Sequence, residues 1–223
     1  MPGNATARRH RHRHLVLTAL GVAFVLFGLS FLGYFGWQFY GTDSSSRQKQ
    51  TIVKNELARD WGKGIDGDAI GLLRVPRFGK DYDVPIVPGF DPMALAKGVG
   101  WYTKGAKPGL IGNFAIAGHR VTHGEPFRDF RKLRKGDNVV VETRTQIFTY
   151  VLRQNGDAIA VDSTATWPLK AVPVSGKELV RPTKPVLTMM TCSALYDTQN
   201  LNVVFGDLVS TVDKTSKTTG SSG

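Results

Sequence analysis

Apolar residues follow two different patterns along this chain. Near the N-terminus, a run without any charged residue extends from Leu15 to Thr42 and predicts one long helix. From Ala69 onward the apolar residues form short runs, each bounded by Gly, Pro or Asp, as expected of β-strands. Eight such runs are predicted to be strands: Ile70–Val75, Val84–Val87, Phe114–Ala117, Asn138–Glu142, Gln146–Leu152, Ala158–Asp162, Val186–Cys192 and Leu201–Val209. Many short strands with frequent turns favour an all-β barrel or sandwich.

The N-terminal run has the properties of a membrane anchor. A transmembrane helix needs about 20 mainly apolar residues, and residues 15–40 satisfy that length. Residues 1–14 carry four arginines, which predicts a cytoplasmic N-terminus and an extracellular remainder, in a single-pass protein of the cell membrane. A cleaved signal peptide is the competing interpretation, but this apolar core is longer than usual and no Ala-x-Ala pattern follows it.

The rest of the chain divides at changes of composition. Residues 41–68 are predicted to form a stalk or helical linker, with a helix over Arg47–Trp61. Residues 69–212 contain the predicted strands and form the main domain. Residues 213–223 are rich in Ser, Thr and Gly and are predicted to be a disordered tail.

Charge narrows the classes of partner. The chain has a net charge of +11, and without the four N-terminal arginines it has +7, which suits an exported domain working near an anionic wall or lipid surface. A basic stripe with interleaved aromatic residues is missing from the sequence, so a nucleic-acid partner is not predicted. The sequence also has no acidic cluster typical of a calcium site. We therefore predict neither a metal nor another cofactor.

The single cysteine is the candidate nucleophile. Cys192 ends the predicted strand Val186–Cys192, and an exported chain with one cysteine forms no internal disulfide. The simplest alternative is that Cys192 is a small buried core residue. A catalytic cysteine needs a neighbour that favours the thiolate, and His119 follows Gly118 at the end of another predicted strand. His123 is the rival imidazole; as a loop residue it would position the loop or contact substrate.

Several segments together resemble the sortases, cysteine transpeptidases of Gram-positive cell surfaces. The segments are GNFAIAGHR…GEPFRDFRKLRKGD (Gly112–Asp137), TMMTC (Thr188–Cys192), IGLLRVP (Ile70–Pro76) and PIVPG (Pro85–Gly89). The family motif is TLxTC, so methionine replaces leucine here, a substitution that nearly conserves volume. The resemblance covers Ala69–Val209 and is greatest to the actinobacterial class E group.

The resemblance implies a fold, a chemistry and partners. The fold would be an eight-stranded β-barrel behind an N-terminal membrane anchor. Cys192 would attack the Thr–Gly carbonyl of an LAxTG- or LPxTG-type sorting signal, and His119 would protonate the departing amine. Partners would be secreted proteins with a C-terminal sorting signal, and a cell-wall precursor or protein amine as acceptor. Thr191 and His123 are predicted to lie along the substrate groove.

The sequence departs from the family pattern at the third catalytic position. Sortases carry an arginine about nine residues after the cysteine, and Leu201 stands there. Asn200, Asn202 or Arg120 would then have to supply the oxyanion donor. Loss of one such donor costs roughly 10²–10³ in rate, so a weak or inactive sortase-like binding protein is the alternative function. An L,D-transpeptidase is disfavoured because the residues before Cys192 do not form a Ser-x-Gly-Cys motif.

Overall fold

The computed structural model describes residues 5–36, 42–174, 180–192 and 199–214, which fall into two compact units, Met1–Thr42 and Asp43–Gly223. The first unit contains helix α1 (Ala5–Gly36). An 18-residue window of α1, Leu17–Tyr34, has a mean hydropathy of 2.0 and is long and apolar enough to cross a membrane. The predicted N-terminal helix is therefore present as far as Gly36, and residues 37–40 lie outside the described part of the chain.

The second unit is built on a closed sheet. Its elements are α2 (Thr42–Gly62), β1 (Gly71–Arg74), β2 (Val84–Pro88), α3 (Pro92–Lys97), β3 (Val99–Trp101), β4 (Gly112–Ala117), β5 (Asn138–Glu142), β6 (Gln146–Leu152), β7 (Ala160–Asp162), β8 (Pro185–Cys192) and β9 (Asn200–Asp213). The strand order is β6-β5-β1-β2-β3-β4-β8-β9, and β6 also pairs with β9. Eight strands thus close into a barrel, while the short β7 pairs with β9 outside the ring.

The predicted eight-stranded barrel is confirmed, but its membership differs from the eight predicted runs. β3 was not predicted because it has three residues with Gly98 before it and Gly100 within it, too short for any alternation to be visible. The predicted strand Ala158–Asp162 shortens to β7 and lies outside the barrel.

Alternating side chains of the strands fill the barrel. Buried residues from all eight of its strands form the main core together with Phe127, Phe130 and Leu133, which follow β4 in the chain. Period-2 alternation explains which strand residues lie in this core. Leu187 and Met189 of β8 belong to it, whereas Met190 belongs to a separate cluster outside it.

The segment predicted to be a stalk or helical linker contains helix α2, which packs on the barrel. α2 buries Leu57, which is 2% exposed, in a small cluster with Leu72 of β1 and Val87 of β2. At the other end of the chain, the Lys214 ammonium lies 4.3 Å from the centre of the Trp61 ring. Helix α2 therefore belongs to the same compact unit as the barrel. Of the predicted disordered tail, residues 215–223 lie outside the described residues.

Candidate active site

The pairing of β4 with β8 brings the ends of two distant segments together. These strands run parallel, with Gly112 opposite Pro185 and Ala117 opposite Met190, at a constant offset of 73 residues. His119 and Cys192 have the same offset. They are each two residues beyond the last regular pair, so the same register aligns them at the strand ends. Because neighbouring strands are about 4.8 Å apart, the two backbones are adjacent at one rim of the barrel.

Hydrogen bonds continue the pairing beyond the last regular pair. The Gly118 N–H donates to the Met190 carbonyl (3.2 Å), and the Thr191 hydroxyl donates to the Gly118 carbonyl (2.8 Å). Thr191 is 3% exposed. The hydroxyl of Thr191, a residue predicted to lie along the substrate groove, is thus buried and joins β8 to the residue before His119.

Gly118 is required by close packing. A Cβ placed on Gly118 would lie 2.8 Å from the Phe127 ring, which is fully buried. The Phe127 N–H also donates to the His119 carbonyl (2.9 Å), so the loop folds back on the strand end. The space that Gly118 leaves is thus occupied by the Phe127 ring.

His119 has an environment that favours its neutral form. Its ring stacks on that of His123, with centroids 4.5 Å apart and an interplanar angle of 22°. Its Nε2 is buried and has no hydrogen-bond partner among the described residues. Burial, followed by the nearby His123, lowers the pKa of His119 to about 4. A neutral imidazole at physiological pH can accept a proton from a thiol.

On its other side, β8 pairs with β9 in an uninterrupted antiparallel register. Cys192 is opposite Leu201 and Thr191 is opposite Asn202. Leu201 lies in the outer apolar cluster, while Asn202 is 5% exposed and Asn200 is exposed. The register has no bulge at this point, so neither asparagine takes the place of Leu201 opposite the cysteine.

Arg120 is the other candidate oxyanion donor. It follows His119 directly and is half-buried. Because it is next to His119, it lies beside the strand ends. This position is the reason that Arg120 stays a candidate oxyanion donor. His123 lies four residues after His119, and its stacking places it next to the predicted acid–base group.

Comparison with known proteins identifies the family. Residues 73–209, more than half of the chain, match the sortase domain family. The chain belongs to the sortase family. It is 29% identical to sortase SrtE1 of Streptomyces coelicolor over 219 residues, covering 92% of this chain and 60% of that protein. This sortase thus spans less than two thirds of the length of that relative.

Solved structures agree with the barrel. Sortase E from Streptomyces avermitilis is similar at a TM-score of 0.58 and 36% identity, over 66% of this chain and 92% of that one. Sortase E1 from Streptomyces coelicolor, solved with a tripeptide in its active site, is similar at a TM-score of 0.54 and 31% identity, over 66% and 91%. The resemblance to class E inferred from the sequence is confirmed by these relatives.

An apolar surface extends over the outside of the sortase barrel beside β8 and β9. Its buried members are Val161, Met190, Val203 and Phe205, with Leu201 and other half-buried apolar side chains packed against them. The Trp167 ring, from the segment after β7, lies 5.8 Å from that of Phe205. This segment, here called the wall segment, therefore packs on the outer face of β9.

A buried asparagine holds the wall segment in place, and no sequence pattern predicted this role. Asn113 of β4 is 1% exposed, and its amide nitrogen donates to the carbonyls of Pro168 (2.7 Å) and Lys170 (2.9 Å). Its oxygen accepts from the Thr188 hydroxyl (2.7 Å). One side chain thus joins β4, β8 and the wall segment.

We expect Asn113→Ala to destabilise the domain by about 2–4 kcal/mol, because two carbonyls and a hydroxyl would lose their buried partner. Chemical denaturation measures the change. Asn138→Ala is the matched control, since Asn138 is exposed at the start of β5 and should change stability by less than about 0.5 kcal/mol. Equal midpoints for the two variants would contradict the structural role of Asn113.

Proposed function

We propose that this chain is a membrane-anchored cysteine transpeptidase that cleaves the Thr–Gly bond of an LAxTG- or LPxTG-type sorting signal. The secreted protein is then transferred to a cell-wall precursor or to a protein amine. The observation that supports the proposal is the β4–β8 register, whose offset of 73 residues up to the Ala117–Met190 pair is also the offset between His119 and Cys192. Family membership supports it, and favours an enzyme over the non-catalytic binding protein.

The first half of the reaction forms a thioester. The neutral His119 accepts the proton of the Cys192 thiol as the sulfur attacks the threonine carbonyl carbon. The tetrahedral oxyanion collapses, the C–N bond to glycine breaks, and His119 gives its proton to the departing amine. The protein up to its threonine is then held as a thioacyl enzyme.

The second half releases the product by the reverse sequence. An acceptor amine attacks the thioester carbonyl, His119 takes the proton that this amine loses, and the C–S bond breaks. The sulfur leaves as a thiolate and regains its proton from His119. The cycle uses only the sorting signal and the acceptor amine, and it returns Cys192 and His119 to their starting protonation states. The proposed reaction therefore requires no cofactor.

Helix α1 supports the proposed location. The apolar window Leu17–Tyr34 fits a single membrane span, and the arginines before it favour a cytoplasmic N-terminus. The catalytic unit would then lie outside the cell, where secreted proteins and cell-wall amines are available. The tripeptide in the active site of the Streptomyces coelicolor relative supports a peptide substrate.

A mass measurement tests the function. Incubation of the full chain with LAxTG and LPxTG peptides should add the mass of the acyl fragment to the protein, at Cys192. Addition of an amine should then remove that mass and yield a peptide–amine product. Failure of every peptide to acylate the protein would overturn the proposed activity and leave the binding protein.

Leu201, which pairs with Cys192, is a position where a substitution should raise the rate of acylation. We expect Leu201→Arg to raise the rate of acylation about tenfold or more, because a guanidinium there would supply the family's oxyanion donor. The rate of thioester formation in a single turnover measures it.

Asn200→Arg is the matched control for Leu201→Arg. It adds the same charge one residue away, at an exposed position that is not opposite Cys192. Its rate should stay near that of the natural sequence. If Leu201→Arg leaves the rate unchanged, another group, with Arg120 the first candidate, already stabilises the oxyanion.

A further inference from the structure

The loop that follows His119 has an unusual backbone. His123 and Glu125 have positive φ angles of 56° and 49°, and Gly124 between them has 77°. Residues other than glycine seldom occupy this left-handed region, and they stay there only where surrounding contacts enforce it. The contacts around this loop therefore determine where the His123 ring lies, and with it the stack on His119.

One of these contacts comes from helix α2. The Gln50 Nε2 donates to the His123 carbonyl (3.2 Å), 73 residues away in sequence. The fit is close, because a Cβ on Gly124 would lie 2.7 Å from the same Nε2 and 3.4 Å from the Arg47 side chain. Helix α2 thus touches the loop at its most strained point.

The contact belongs to a continuous face of α2. Gln50, Lys54 and Leu57 follow at i, i+4 and i+7, which puts them on one side of the helix. Lys54 forms an ion pair with Asp83 (2.7 Å), and Leu57 is buried against the barrel. The helix is therefore fixed along its length, and its N-terminal half delivers Gln50 to the loop.

The opposite side of the loop is held by the barrel. The Tyr82 hydroxyl donates to the Pro126 carbonyl (2.8 Å), and burial raises the pKa of Tyr82, so that this hydroxyl stays a donor. The Phe127 N–H closes the loop on the His119 carbonyl. Two side chains bond to the segment of left-handed residues itself: the Gln50 amide donates to the His123 carbonyl, and the Arg128 guanidinium donates to the Glu125 carboxylate (2.8 Å).

We infer that helix α2 is part of the active site and that Gln50 is a positioning residue. Through the His123 carbonyl it holds the strained loop in the conformation that stacks the His123 ring on His119. The inference rests on the proposed function for its catalytic consequence, but its structural content does not. It also links the segment next to the membrane anchor with the acid–base group.

The test is Gln50→Glu in the full chain, in detergent micelles. A carboxylate has nearly the same shape as the amide but cannot donate to the His123 carbonyl at neutral pH. Gln48→Glu is the matched control, because it makes the same charge change at an exposed position of α2 that faces a different direction.

Two readouts are needed. In proton–carbon NMR of labelled histidine, the His119 signal, assigned by its loss in His119→Ala, should move toward that of an unstacked imidazole in Gln50→Glu. With a sorting peptide, kcat should fall about three- to tenfold with KM unchanged, the scale of one lost hydrogen bond. Gln48→Glu should show neither change.

The outcomes separate the two proposals. If the His119 signal is the same in Gln50→Glu and Gln48→Glu, the positioning role is overturned. If the signal moves but kcat does not fall in an active enzyme, the catalytic consequence is overturned. If none of the tested peptides acylates the protein of natural sequence, the proposed function fails. The NMR signal of His119 alone then decides whether Gln50 positions the histidine pair.

Discussion

Replacing Cys192 with alanine is expected to abolish thioacyl formation and transpeptidation completely. Cys192 is the only cysteine of the chain, so no other thiol can take over the attack. General acid–base groups alone do not form the covalent intermediate, and a water molecule near His119 would at most hydrolyse the peptide slowly. The measurement is the mass of the protein after incubation with a sorting peptide, which should show no adduct.

The loss must come from chemistry and not from unfolding. The backbone of Cys192 ends β8 in a regular pair with Leu201, and alanine fits the same strand geometry. We therefore expect the thermal midpoint to stay close to that of the natural sequence. Cys192→Ser is the second control, because a serine hydroxyl keeps the size of the thiol but ionises far less readily, and it should be almost as inactive. Full activity in either variant would exclude the thiol mechanism.

The placement of Cys192 shows how far a sequence can predict such a site. The alternation of β-prone residues predicted a strand that ends at Cys192, and β8 ends there. The same alternation separates Thr191 from Cys192, since successive residues point to opposite faces. Applied consistently, it would have assigned Thr191 to the buried face, where its hydroxyl meets the Gly118 carbonyl.

Contacts between segments far apart in the chain could not be predicted from the sequence. His119 and Cys192 were predicted to meet on chemical grounds, but the pairing of β4 with β8 depends on the closed barrel. The contact of Gln50 with His123 has no local signal either, because a polar residue on a helix is usually solvated. Asn113 lies within an apolar run, and no sequence pattern predicted that its side chain is buried among polar partners.

The absent arginine is the point where sequence and structure agree most closely. The spacing from the cysteine placed Leu201 at the family's arginine position, and the register sets it directly opposite Cys192. An uninterrupted ladder gives no route for Asn202 to exchange places with it. The rate of this sortase should therefore depend heavily on the groups that remain, above all on His119.

His119→Ala is accordingly expected to lower the rate of acylation by roughly 10²–10⁴, the usual contribution of an acid–base group. His123→Ala is the comparison, because it removes the stacked ring but leaves the acid–base group in place, and its loss should be much smaller. Single-turnover acylation measures both. The reverse ranking would assign the acid–base role to His123.

The pH dependence tests the same histidine without relying on a variant. Since burial and His123 lower the pKa of His119 to about 4, the neutral base should persist well below pH 6.5, and the acid limb of the rate should lie near pH 4. Unfolding restores the ordinary pKa of about 6.5, so the unfolded chain binds more protons between these values. Stability from this group is therefore complete above about pH 6.5 and is lost as the pH falls toward 4. His119→Ala should remove that part of the pH dependence of thermal unfolding, and an unchanged dependence would show that His119 is not the buried neutral group.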